Sequence, residues 1–347
     1  MKVVDALLRA GATISLLDEA NTTALHIALN EGHMEVARAL QSAGAQVDQA
    51  VAWDGLGRQQ TFLYWESCAG RLKHVLTALS MGAQPGLQDK KGRSPLHCAS
   101  EYGHVEVVSA LVNHGARPDM GDDDGHSALH KAAMWGHVKV VGDLLRAGAT
   151  VSLLDKYNNT ALHYALIKGH LEVARALQSA GAQVDQMVDQ DGLGLQQTFL
   201  QWLSCAGNLT LVLATLSLGA QPDLQTIRGN IALLCASGSG HVEVVSALLN
   251  HGAQSDLQNI QGKTALQCAS EFGHVAVVSA LLNHGAHPDV RDDQGHSPLH
   301  KAATWGHVKV VDALLRAGAT VGLLDKDNFT ALHYALVVGR VEVARAL

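Results

Sequence analysis

The sequence predicts an all-α fold, a solenoid of stacked helix-turn-helix units joined by β-turn or hairpin-like connections. Three observations lead there. A Gly-Ala pair recurs at Gly11, Gly44, Gly82, Gly115, Gly148, Gly181, Gly219, Gly252, Gly285 and Gly318, in steps of 33 residues except for two of 38. A second block returns 21 residues before most of these glycines: TALH at 23 to 26, SPLH at 94 to 97, SALH at 127 to 130, TALH at 160 to 163 and SPLH at 297 to 300, with a further TALH at 330 to 333. The composition is 47% hydrophobic but only 4% aromatic, with 34 glycines. Small side chains must therefore do much of the packing, as closely stacked short helices require.

Each unit can be justified element by element. Thr or Ser at the head of the block is a helix N-cap, followed in two repeats by Pro95 or Pro298 at the first helical position. Some nine residues on, Gly103, Gly136 or Gly169 ends a first helix of about two turns, because glycine accepts the left-handed C-terminal conformation at little cost. A second run such as HVEVVSALVNHGA places Val107, Val108, Leu111 and Val112 on one helical face and ends at Gly115. Asp and Gly signals such as DKKGRS at 89 to 94 and DDDGHS at 122 to 127 read as tight turns. One such unit has too little apolar surface to fold alone, so stacking supplies the core.

The 33-residue period with T-P-L-H-x-A resembles the ankyrin family over essentially the whole chain. The reading is one domain over 1 to 347: a partial repeat at 1 to 18, repeats beginning near 18, 56, 89, 122, 155, 193, 226, 259 and 292, and a partial repeat at 325 to 347. Two repeats depart from the motif, TFLYWESCAG at 61 to 70 and TFLQWLSCAG at 198 to 207, with Tyr64 and Gln201 in place of the histidine. Both follow five-residue insertions, in the segments 47 to 60 and 184 to 197, which should lengthen the turn region and either serve partners or have no role. IALLCASGSG at 231 to 240 lacks both cap and histidine, so fraying is expected there. Residues 2 to 18 return at 139 to 155 and again at 309 to 325, a longer period of duplicated blocks. Met1 aligns with Val138 and Val308, and Leu347 with Leu40 and Leu177, both within second helices, so the chain is expected to be a fragment of a longer array.

Composition and motifs argue against several function classes. The net charge of −7 offers no basic field for phosphates or anionic lipid, so nucleic acid is not an expected partner. No apolar run is long enough to span a membrane, and the first residues lack the pattern of a secretory signal. Five cysteines, Cys68, Cys98, Cys205, Cys235 and Cys268, are odd in number and lack metal-ligand spacing. A reducing, intracellular setting is expected, cytoplasmic in preference to nuclear, with Cys98, Cys235 and Cys268 as inert core thiols and Cys68 and Cys205 more exposed. The 20 histidines fall mostly in two repeated slots. One holds His97, His130, His163 and His300, where the resemblance implies hydrogen bonding to neighbouring turn backbone. The other holds His104, His137, His170, His241, His274 and His307. One histidine per slot per repeat sets them about 10 Å apart, too far for shared metal coordination. GDDDG at 121 to 125 has no following GK[ST], and DDDGH is far short of a calcium loop. No catalytic, cofactor, metal or small-molecule site is expected.

The resemblance implies a concave groove lined by turn tips and the ends of first helices, used to bind other proteins. There the sequence places Tyr102 and Trp135 in adjacent repeats, and Phe272 and Trp305 in another adjacent pair. Two readings are open: anchors for a partner, or rings that merely cover the neighbouring repeat. The tips add Lys90, Lys91 and Arg93, then Asp122, Asp123 and Asp124, with Asp292 and Asp293 in the later copy. They read as a solvated rim, or as contributors to selectivity and association rate. The expected function is a non-catalytic interaction scaffold or adaptor. The alternatives are a regulatory or targeting segment of a larger signalling protein, with a kinase, ubiquitin ligase or death-type domain elsewhere, and a mechanical spacer.

Overall fold

A computed structural model describes residues 2–19, 22–52, 59–187 and 196–347. The chain forms two compact units, Met1–Ala182 and Gln183–Leu347, a division the repeat pattern does not mark. In the first unit the helices are α1 (Lys2–Arg9), α2 (Ala24–Asn30), α3 (Met34–Ser42), α4 (Phe62–Cys68), α5 (Leu72–Ser80), α6 (Pro95–Tyr102), α7 (Val105–Asn113), α8 (Ala128–Met134), α9 (Val138–Arg146), α10 (Ala161–Ile167) and α11 (Leu171–Ser179). The first helices α4, α6, α8 and α10 pack in one row, and the second helices α5, α7, α9 and α11 in another. A short antiparallel pair, β1 (Val51–Ala52) and β2 (Gln59–Gln60), sets Val51 opposite Gln60.

The second unit holds α12 (Phe199–Ala206), α13 (Leu209–Ser217), α14 (Ala232–Ser239), α15 (Val242–Asn250), α16 (Ala265–Phe272), α17 (Val275–Asn283), α18 (Pro298–Trp305), α19 (Val308–Arg316), α20 (Ala331–Val337) and α21 (Val341–Ala346). It repeats the same arrangement, with α12, α14, α16, α18 and α20 in one row and α13, α15, α17, α19 and α21 in the other. The insertions lie between helices, as expected. Their central residues 53–58 and 188–195, on which the expectation of partner loops falls, lie outside the described residues.

The core follows from the repeat. The motif leucine is fully buried at Leu25, Leu96, Leu129, Leu162, Leu266 and Leu299, whereas Leu332 in the last copy is exposed; the valine pairs of the second helices, Val107 with Val108 and Val140 with Val141, are fully buried too. Alanines fill the space between first helices: Ala99, Ala132, Ala133, Ala269 and Ala302 have no accessible surface. An alanine loses no side-chain entropy on burial and lets helix backbones approach closely. Phe62 and Phe199, at the first helical position of the two degenerate repeats, are the largest side chains with no accessible surface among the described residues. α14 spans eight residues despite its uncapped N-terminus, because Ile231, Leu233 and Leu234 are buried in place of the missing polar cap. The expectation of fraying there overlooked that burial.

Neighbouring repeats are joined by hydrogen bonds from both histidine slots. In the first slot, His97 Nδ1 accepts from the Ser94 N–H at 3.1 Å while Nε2–H donates to the His126 carbonyl at 2.8 Å, 29 residues on. His130 and His300 repeat this on the Asn159 and Phe329 carbonyls, each at 3.1 Å. One side chain thus satisfies a helix N-terminus and a turn in the next repeat. Gln201 does the same in its degenerate repeat: Oε1 accepts from the Thr198 N–H at 2.8 Å, and Nε2 donates to the Leu224 and Asn230 carbonyls. Tyr64 does not stand in this way. Its ring is buried, with the Arg93 guanidinium 5.7 Å from its centroid. In the second slot, His104, His137, His170, His241, His274 and His307 each donate from Nε2 to a carbonyl in the last turn of the previous repeat's first helix, 36 residues back, at 2.9 to 3.1 Å.

Candidate binding surface

Most turns are organised by a leading Asp, with Thr226 and Asn259 in that place in two turns of the second unit, which makes these residues structural before they are anything else. Asp122 Oδ1 accepts from the Asp124 and His126 N–H groups at 3.0 and 2.9 Å. Asp89 Oδ1 accepts likewise from Lys91 and Arg93, both at 2.9 Å. Adjacent tips are then laced by backbone: the Asp123 N–H donates to the Lys91 carbonyl at 3.0 Å, and Lys156 to Asp124 at 2.9 Å. In the second unit Ile260 donates to Arg228, Asp293 to Gln261 and Lys326 to Gln294.

This geometry divides the charged rim read from the sequence. Lys90, Lys91, Asp123, Asp124 and Asp293 are exposed, whereas Asp122 and Asp292 have side chains at most 5% accessible. Lys131 Nζ sits 2.7 Å from Asp122 Oδ2, and Lys301 Nζ 2.7 Å from Asp292 Oδ2. Arg93 is turned back onto Asp89 Oδ2 at 2.8 Å. The placing of Asp122, Asp292 and Arg93 on a free rim is therefore corrected. An aspartate that leads its turn points its carboxylate back at the turn's own amides, and that carboxylate then draws the nearest cation inward.

Around Asp122 lies a polar network that the motif reading missed. His126 Nε2 is 3.1 Å from the Tyr164 hydroxyl and 3.3 Å from Asp155 Oδ2, and Tyr164 donates to the same carboxylate at 2.6 Å. Burial draws the His126 imidazole down, but its hydrogen bonds to Asp122 and Asp155 outweigh burial and Lys131, and lift it to about 9. Burial pushes Asp155 up, yet its bonds from His126 and Tyr164 prevail and hold it at about 2. The second unit repeats the geometry with His296, Asp292, Lys301, Asp325 and Tyr334. The signal was there in the sequence: His follows the turn glycine, Lys follows the motif histidine, and Tyr takes that same slot one repeat later.

The four aromatics read as groove residues are all exposed. Tyr102 ends α6 and Trp135 follows α8, each 58% accessible; Phe272 ends α16 at 60% and Trp305 ends α18 at 53%. Since α6 packs on α8 and α16 on α18, each pair sits on neighbouring helices of one row. Tyr102 and Phe272 lie beside the His104 and His274 rings, with centroids 6.3 and 6.2 Å apart and planes inclined by 30° and 31°. Two further apolar tips escaped the sequence reading. Ile227 and Ile260 are 67% and 65% exposed, in the tip slot that Lys90 and Asp123 hold in the first unit.

The ankyrin-repeat family models match most of the chain, as three-copy arrays over residues 63–155, 200–292 and 284–347 and as single repeats over 21–50 and 157–189. The chain belongs to the ankyrin-repeat family. Ankyrin repeats are protein-interaction modules, and the family is generally non-catalytic. Among curated proteins, the chain is 37% identical over 110 residues to the E3 ubiquitin-protein ligase Ufd4 of Drosophila melanogaster, covering 31% of the chain and 4% of that protein. It is 31% identical over 111 residues to human Rabankyrin-5, covering 29% of the chain and 9% of that protein. Both alignments therefore touch only a small part of much longer relatives.

Two features test the ankyrin surface for chemistry. Among the described residues, Asp122, Asp124 and His126 bring possible metal-ligand atoms within 4.8 Å of one another. The cation at this carboxylate is the Lys131 ammonium, and Asp122 Oδ1 is already taken by two turn amides. The second feature corrects an expectation: Cys68 and Cys98 are joined by a disulfide, with Cα atoms 4.9 Å apart, so Cys98 is not an inert core thiol. Disulfides are rare in reducing compartments except where they sense redox state, so the cysteine ground for a reducing setting falls away. Cys205 is exposed, as expected, and Cys235 and Cys268 are half-buried. No helix among the described residues is long and apolar enough to cross a membrane.

Proposed function

We propose that this ankyrin array is a non-catalytic scaffold that holds partner proteins on the row of first-helix ends and turn tips. The observation that carries the reading is the two aromatic pairs, Tyr102 with Trp135 and Phe272 with Trp305, each more than half exposed on adjacent helices. Large rings held on rigid helices lose little entropy on binding and are frequent anchors of protein interfaces. Lys90, Lys91, Asp123 and Asp124 would tune selectivity and encounter rate at the tips, more than affinity. Nucleic acid, small molecules and cofactors have no place in this proposal.

A second reading has an observation in its favour. The relatives named above are many times longer than their matched segments, which supports a second reading in which this array is the targeting or regulatory part of a larger signalling protein. The two readings share the surface and differ in what it is joined to.

The test is affinity capture from cell lysate with the chain and with a variant carrying Tyr102→Ala, Trp135→Ala, Phe272→Ala and Trp305→Ala, after circular dichroism shows both to be folded. Partners lost selectively by the variant support the aromatic surface. Identical partner sets sink it, and capture of nothing by either chain favours a spacer.

A further inference from the structure

The Cys68–Cys98 bridge ties the end of α4 to the first turn of α6, across two neighbouring first helices. Both residues have counterparts 137 residues further on, at the spacing of the duplicated block: Cys205 near the end of α12 and Cys235 in α14. The separation of 30 residues is the same in both pairs. The surroundings match too. TFLYWESCAG and TFLQWLSCAG carry the first cysteine of each pair, Ser67 and Ser204 beside it donate to the backbone of Leu63 and Leu200, and α12 packs on α14 as α4 packs on α6. His104 and His241 accordingly bind the carbonyls of Cys68 and Cys205, each at 3.0 Å. What differs is the state of the sulfurs: bridged in the first unit, thiols in the second.

We infer that Cys205 and Cys235 form a second, redox-responsive cross-link site, which takes a small-molecule disulfide such as oxidised glutathione as its oxidant and closes to an α12–α14 bridge equivalent to Cys68–Cys98. The two side chains already share a hydrogen bond, and with burial it lifts the Cys235 thiol well above its ordinary range. Cys205 is exposed and Cys235 half-buried, which sets the order of events. The Cys205 thiolate attacks one sulfur of glutathione disulfide; that S–S bond breaks, and one glutathione leaves and takes up a proton. Cys235 gives its proton to solvent and attacks the Cys205 sulfur of the mixed disulfide, expelling the second glutathione. Two protein thiols are oxidised to one disulfide, and one glutathione disulfide is reduced to two glutathiones. Cys268 holds the same helix slot as Cys235 one repeat later, about one helix spacing away, and stays a thiol.

The experiment equilibrates the full chain in glutathione buffers from fully reduced to fully oxidised, blocks remaining thiols with N-ethylmaleimide and maps peptides without reduction. The expected result is a Cys205–Cys235 linked peptide that rises with oxidised glutathione while Cys268 remains alkylated, and its complete loss in both Cys235→Ser and Cys205→Ser. In Cys235→Ser a glutathione adduct should persist on Cys205, because the resolving thiol is gone. Two results overturn the inference: Cys205 and Cys235 both alkylated in the most oxidising buffer with the fold intact by circular dichroism, or a linked peptide joining Cys235 to Cys268.

Discussion

The His137 ring lies 2.6 Å from where a β-carbon on Gly103 would stand, while its Nε2–H donates to the Glu101 carbonyl at 2.9 Å. The glycine that ends one first helix is thus also the floor on which the next repeat's histidine rests. The same fit recurs at Gly70 with His104, Gly136 with His170, Gly207 with His241, Gly240 with His274 and Gly273 with His307. It explains why the helix-ending glycine and the histidine after the next one travel together through the sequence.

Gly103→Ala should therefore cost more than a left-handed backbone alone accounts for. Gly115 has the same kind of conformation, at φ +91° against +79° for Gly103, but nothing within 4 Å of an added β-carbon. Gly115→Ala is expected to cost about 1–2 kcal/mol, and Gly103→Ala at least about 1 kcal/mol more, from overpacking against the ring. Urea unfolding of both variants in the native and His137→Ala backgrounds checks this. The extra cost should vanish when the ring is gone, and additive effects would refute the contact.

Replacing His97 by Gln should be tolerated where Ala is not. Gln267 already does this work in its own repeat, accepting from the Thr264 N–H at 2.8 Å and donating to the His296 carbonyl at 2.6 Å. His97→Gln is expected to cost under about 1 kcal/mol, and His97→Ala about 3 kcal/mol, since Ala leaves two buried groups without partners. Burial holds the His97 imidazole below its ordinary value of 6.5. The unfolded chain then takes up the proton first, so stability falls as pH drops below about 6.5. His97→Gln should remove this residue's share of that acid sensitivity, as seen in melts from pH 7 to pH 5.

His126 should act in the opposite direction. Its folded value of about 9 exceeds the ordinary 6.5, so the stability it lends is fully present below pH about 6.5 and is lost as pH rises through about 9. Asp122 and Asp155 favour the charged ring and the Lys131 ammonium opposes it, with the Tyr164 hydroxyl as a neutral neighbour. A nuclear magnetic resonance titration should find the His126 ring still protonated at pH 7.5, and His126→Gln should flatten the stability profile between pH 7 and pH 9. A midpoint below 6.5 would contradict the network.

Trp135→Ala should separate binding from folding. The ring is more than half exposed, so its loss should change stability by less than about 0.5 kcal/mol, while affinity for a captured partner should drop by about 2 kcal/mol or more, roughly thirtyfold. Calorimetric binding alongside thermal melts reads both quantities. Equal effects on the two would mean that the ring serves the stack and not a partner.

Much of this architecture was legible in the primary structure, because an array of this kind is built from local and nearest-neighbour terms that recur every repeat. Thr160 capping its helix, Gly103 ending another and Leu129 facing the core each follow from a spacing of a few residues. The exposure of Trp135 and Tyr102 followed from their place just before the helix-ending glycine. Less legible was the tip slot, where Ile227 and Ile260 stand in an otherwise charged series, because tip residues answer to no periodic rule.

The sequence by itself determined the repeat, the placing of caps and turns, and the all-helical class, since each depends on contacts within about one unit. Tertiary structure alone decided which of three consecutive aspartates is exposed. Asp122 is closed in by its turn amides and Lys131, while Asp123 and Asp124 face solvent. It also decided that Cys68 meets Cys98, with Cα atoms 4.9 Å apart. A separation of 30 residues is no disulfide signal by itself. Only the stacking of one first helix on the next brings the end of α4 against the first turn of α6, and that approach is a property of packed side chains.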